Sequence, residues 1–156
     1  MKSLFYLYRF RLCYATNFFI QKGIEEGIPV DPMKIQKILY FANGFYLAAY
    51  NKRLIQERFQ AWEYGPVIPE LYQELKNFGM SPITETLSSL NEDISDIREP
   101  LESIWNDFKQ FNAIQLSKIT HENDPLNPWL LAKKRKEITK KEEYLLDVEI
   151  IQYFNR

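Results

Sequence analysis

Apolar residues recur at helical spacing over most of this chain, and Pro, Gly and Asn interrupt them at intervals. The clearest run follows Asp31-Pro32. Asp suits a helix N-cap and Pro the first helical position. Ile35, Ile38, Leu39, Ala42, Phe45, Tyr46 and Ala49 then repeat at helical spacing up to Tyr50-Asn51. This helix is apolar over a broad face, which predicts a place at the centre of the fold. An earlier helix is predicted over Tyr14–Glu26, with Gly27 as its stop and Pro29 barring continuation.

Residues 58–64 alternate in polarity and predict a short strand, paired with 53–56 in a hairpin. Gly65-Pro66 predicts the turn that follows. A helix is predicted from Pro66 to Phe78, closed by Gly79. Residues 80–97 are rich in Ser, Thr and Asp and read as loop, with a short strand near Ile83–Leu87. Pro100 restarts a helix whose stripe is Leu101, Ile104, Trp105, Phe108 and Phe111. A short helix over 115–122 ends at His121, and Asn127 caps another opened by Pro128-Trp129. Thr139-x-x-Glu142 has the spacing of a capping box and predicts a terminal helix with Leu146, Ile150, Tyr153 and Phe154 on its face. The expected fold is mainly α: a single compact helical domain of about six or seven helices with a minor β-hairpin.

Residues 1–13 form an N-terminal extension to a domain over 14–156. Their apolar run resembles a signal peptide until Arg9 and Arg11 interrupt it. A longer N-terminal helix, or a start upstream of the domain proper, accounts for it better. No stretch has the uninterrupted apolar length of a membrane span, so the cytoplasm is the expected location.

Composition narrows the chemistry. Twenty basic and 21 acidic residues leave a formal charge of −1, with no global pull toward nucleic acid or anionic lipid. One Cys, Cys13, excludes an internal disulfide, and one His, His121, excludes sites that need two imidazoles. No phosphate-binding Gly motif occurs, and no cofactor or metal is expected. Ser117, His121 and Asp124 could formally build a hydrolytic triad, but no nucleophile elbow accompanies them. Thr120-His121 can cap the end of its own helix, or offer a surface contact. Lys133–Lys136 with Lys140-Lys141 is a basic cluster diluted by Glu137, Glu142 and Glu143, which suits a solvated helix face better than nucleic acid.

Aromatic residues reach 15% of the chain. In Trp62-Glu63-Tyr64-Gly65-Pro66-Val67 they can plug the core. They can equally form a rigid ledge for another protein, since rigid rings lose little entropy on binding. Binding is therefore favoured over catalysis, and no catalytic residue is assigned.

Ala15–Ile20, the helix Met33–Ala42, the turn Ala61–Pro69 with Tyr72, Leu116–His121, Pro128-Trp129 and Ile150–Phe154 follow one another in a fixed order. In that order they resemble the Panacea domain family of SocA-like antitoxins and phage-associated proteins. Residues 1–13 lie outside the match, and Leu126-Asn127 reads as an insertion between His121 and Pro128. The resemblance implies an antitoxin of a bacterial or phage toxin–antitoxin system that binds a cognate toxin directly. Some relatives instead act as adaptors delivering the toxin to an ATP-dependent protease, and DNA-binding autoregulation is a weaker alternative. Exposed members of Trp62, Tyr64, Thr120, His121 and Trp129, with the N-terminal aromatics, are the candidate contacts.

Overall fold

Helix α2 (Pro32–Tyr50) starts and stops where local chemistry dictates. The Asp31 carboxylate accepts the Lys34 N–H at 2.8 Å, Pro32 supplies the first helical position, and Asn51 closes the far end in a left-handed conformation. The computed structural model describes residues 4–88 and 95–156, with side chains described for residues 9–88 and 96–156. Seven α-helices, two short 3-10 turns and one two-stranded sheet account for the regular structure of the described residues.

α2 is the central element, as its apolar breadth predicts. It packs against α1 (Leu4–Glu26), α4 (Arg98–Phe108), α5 (Ala113–Thr120), α7 (Asp147–Phe154) and the second strand of the hairpin. Ile35, Ile38, Leu39, Tyr40 and Phe41 are all buried. The Phe154 ring of α7 rests on Gly44, where a β-carbon would strike it. It also meets Phe45 edge-on at 4.9 Å and Tyr40 at 5.6 Å.

α1 runs unbroken from Leu4, well before the expected start at Tyr14. Phe10, Leu12 and Cys13 are buried with Ala15, Phe19 and Ile20, so the core draws on residues ahead of position 14. Gly27 takes φ 67° and the Ile28 N–H reaches back to the Gly23 carbonyl at 2.9 Å, the closure expected of a glycine just past a helix.

The hairpin is real, but its partner differs from the expected one. β1 (Gln60–Trp62) pairs antiparallel with β2 (Gly65–Val67), Trp62 facing Gly65 and Ala61 facing Pro66. The turn is therefore Glu63-Tyr64, and Gly65-Pro66 lies inside the second strand. An edge strand tolerates a proline that cannot donate to a further ladder. Residues 53–56 form no strand. The Leu54 N–H goes to Asn43 Oδ1 at 3.0 Å, and Arg53 pairs with Asp147. The other side of β1 is taken by the C-terminal segment: Gln60 bridges Tyr144, and the Ala61 N–H donates to the Glu143 carbonyl at 3.1 Å.

Because Pro66–Ile68 are strand and linker, α3 (Pro69–Leu75) starts later than expected and tightens into a 3-10 turn before Gly79. No strand forms over Ile83–Leu87. Those backbone groups are satisfied one by one, the Ile83 N–H by the Val30 carbonyl and Leu87 by the Asn17 side chain. The remainder of that loop, residues 89–94, lies outside the described residues. Phe111 falls beyond α4 and is exposed. The Thr139–Glu142 spacing does not open a helix. Thr139 ends α6 (Pro128–Thr139), Lys140 turns left-handed, and α7 begins at Asp147 after the Tyr144 bridge.

Candidate functional site

The hairpin lies across the N-terminal half of α2 and gathers all five candidate residues. Tyr64, at the turn, is 58% exposed. Its carbonyl accepts the Ser117 hydroxyl at 2.8 Å, which fixes the backbone beneath the ring. Trp62 is half-buried. Its ring meets Tyr72 edge-on at 5.0 Å and its Nε1 donates to Gln60 Oε1 at 2.9 Å. The Trp62 carbonyl accepts the indole N–H of Trp129 at 2.8 Å.

Trp129 and Thr120 are buried and act as props, so neither presents its side chain to a partner. The Thr120 hydroxyl caps its own helix through the Ser117 carbonyl at 2.7 Å. His121 is half-buried, its ring centroid 4.0 Å from that of Trp129. Burial holds its pKa below the usual imidazole value. A hydrogen bond to the Glu63 backbone opposes that, and the charges of Lys37 and Lys133 add to it. Phe10 is buried, so this N-terminal aromatic is core.

The apparent insertion is what joins His121 to Trp129. Asn127 Nδ2 donates to the Thr120 and Glu122 carbonyls at 3.0 and 2.8 Å, while its Oδ1 accepts the Trp129 N–H at 3.0 Å. One buried amide thus ends α5 and starts α6. No side-chain hydrogen bond among the described residues joins the members of the formal triad. The Ser117 proton is committed to Tyr64, and Asp124 pairs with Arg156 and accepts the Leu126 N–H. The basic cluster is partly neutralised, with Arg135 on Glu149 and Lys136 on Glu142.

Two polar residues of α2 escaped the sequence reading. Gln36 is buried and clamps Ile68, accepting its N–H at 2.8 Å and donating to its carbonyl at 3.0 Å. Lys37 is 1% exposed, and its ammonium donates to the Pro66 carbonyl at 3.0 Å. Burial drives its pKa down to about 7, with the Asp31 charge opposing. The only signal was that both sit in the middle of an otherwise apolar helix. A lysine there reads as a charge reaching water along its stem, and the hairpin that covers it comes from elsewhere in the chain.

The Lys37 shift has a consequence for stability. Its folded pKa lies below the unfolded one, so above pH 7 the unfolded chain holds the extra proton and stability rises with pH. Urea titrations from pH 7 to 9 are expected to show that rise in the wild type and a flatter profile in Lys37→Met. At pH 7 this variant should be at least as stable as the wild type, since an apolar side chain replaces a buried charge.

A groove of about 360 Å³ opens beside the hairpin, walled by Met33, Trp62, Tyr64, Val67 and Tyr72, with Lys37 in its lining. Among the described residues no group of three or more His, Cys, Asp or Glu could hold a metal ion. No helix there is long and apolar enough to cross a membrane.

These features define a small helical domain whose aromatic hairpin is held in place by Gln36, Lys37, Ser117 and Trp129. The sequence matches the family described as Antitoxin SocA-like, Panacea domain, over residues 35–129, and the chain belongs to that family. The matched span contains the hairpin, Lys37 and all five candidate residues. The chain is 30% identical over 126 residues to Antitoxin SocA of Caulobacter vibrioides (strain NA1000 / CB15N). That alignment covers 74% of this chain and 66% of the relative, so the chain spans just under two thirds of the relative's length. No solved structure matches it.

Proposed function

We propose that this chain is an antitoxin that neutralises a cognate toxin by direct protein–protein binding, through the face centred on Tyr64 and the outer edge of Trp62. The observation that carries this reading is the Tyr64 turn: a large exposed ring on a backbone pinned by Ser117, beside Trp62, whose indole is held by Gln60 and whose backbone carbonyl is held by Trp129. Such rings lose little freedom on binding, which is why rigid aromatics dominate interface energetics. Membership of an antitoxin family supports the same reading.

Co-expression with the product of the neighbouring gene is the test. Rescue of growth and a complex that co-elutes on a sizing column are expected. Persistent toxicity with no complex refutes the proposal. Tyr64→Ala should weaken toxin binding by about 2 kcal/mol, the usual threshold for a hot spot, as measured by calorimetry. Its melting temperature should match that of the wild type, because the ring it removes is mostly in solvent. A toxin half-life that shortens only when this chain is present would assign it the adaptor role toward an ATP-dependent protease.

A further inference from the structure

The groove beside the hairpin and the buried lysine in its lining belong together. An ammonium buried this deeply is costly unless a counter-charge meets it. Lys37 offers three donors, and the Pro66 carbonyl, a neutral acceptor, takes one. Asp31 is the acidic residue whose field reaches it, but that carboxylate is committed to capping α2. The groove itself is walled by flat rings and aliphatic side chains, and its volume of about 360 Å³ lies at the low end of small-ligand sites.

We propose that this groove binds a small monocarboxylic acid with a flat apolar body, its carboxylate paired with the Lys37 ammonium and its body lying against Trp62, Tyr72 and Met33. A single positive charge suits a single negative one. Glu63 at the lining and Asp31 at the start of α2 disfavour a phosphate dianion, and no arginine is among the described residues that line the groove. The site stands on the groove and the lysine alone and does not depend on the antitoxin reading. Its position under Trp62 and Tyr64 means that an acid bound there would touch the face proposed for the toxin.

Proton linkage gives the site a signature. The titratable groups around Lys37 are Asp31 on its own helix, Glu63 and Tyr64 on the hairpin, Tyr72 on α3 and His121 after α5. Lys37 loses its charge as the pH rises through about 7, so the affinity for an anion should fall with it.

The probe is 3-phenylpropionate, compared with the uncharged 3-phenylpropanamide, titrated into the ¹⁵N-labelled full chain. Saturable shifts are expected at the Trp62 indole N–H and the Val67 amide. The acid should bind at least tenfold more tightly than the amide at pH 6, and about tenfold more weakly at pH 8 than at pH 6. Lys37→Met should erase the preference for the acid. Equal binding of acid and amide, no saturable shift at Trp62, or an affinity unchanged at pH 8 overturns the proposal. These three readouts use only the wild-type chain, so they decide the matter even if the variant does not fold.

Discussion

Trp105→Ala is expected to lower the unfolding free energy by about 3–5 kcal/mol, read as a fall in the urea midpoint with little change in slope. Trp105 is fully buried on α4 and joins three helices. Its ring lies 6.4 Å from Phe19 of α1, its indole N–H donates to Glu26 Oε2 at 2.7 Å, and the Lys34 ammonium of α2 sits 5.8 Å from the ring centroid. Truncation removes the largest fully buried side chain and leaves Glu26 with Lys109 as its remaining side-chain hydrogen-bond partner among the described residues. Stabilities of single domains are about 5–15 kcal/mol, so the loss is a large fraction of the total. Trp105→Phe keeps most of the volume and loses only the hydrogen bond. Its loss should be clearly smaller, and equal losses in the two variants would show that Glu26, not packing, is what Trp105 contributes.

Gly65→Val should cost about 2–6 kcal/mol, from two sources of roughly 1–3 kcal/mol each. Gly65 holds φ 119°, a conformation that side-chain-bearing residues rarely adopt. A β-carbon there would also lie 2.6 Å from the Thr120 hydroxyl and 2.8 Å from Lys37 Cε. The hairpin sits so close to α2 and α5 that no side chain fits between. Thermal unfolding checks the size of the effect, and toxin binding checks its direction. Lifting the hairpin moves Tyr64, so Gly65→Val should weaken binding even in chains that remain folded. A variant with wild-type stability would mean that the strand does not pass this close to Thr120 and Lys37.

The elements legible in the sequence were those whose signals are local. Asp31-Pro32, Asn127-Pro128 and Gly27 each satisfy or terminate a helix end through groups a few residues away, and each stands where its chemistry requires. Strand partners are set at a distance. The alternation around Ala61 announced a strand, but nothing near it announced that its two neighbours are Gly65–Val67 and Tyr144. The Thr139–Glu142 spacing failed for the same reason, since pairing of residues 143–145 with the hairpin overrode local helix preference.

The site was legible in part. Rings at 62, 64 and 129 and the pair 120–121 were singled out one at a time, and the fold brings them to one place. Their division into exposed ring and buried prop depends on which helix lies behind each, which periodicity does not encode. Lys37 was passed over because a charged residue inside an apolar run is ordinarily assumed to reach solvent, and here β2 seals it in.

The backbone bonds from residues 143–145 to β1 also set an order of assembly. During synthesis the hairpin emerges first, and one of its two flanks leaves the ribosome only after α3 to α6 have followed. The Tyr64 turn thus gains its full support only once residue 145 has emerged. A nascent chain stalled before residue 145 would carry every aromatic of that face and yet lack the bridge that steadies it.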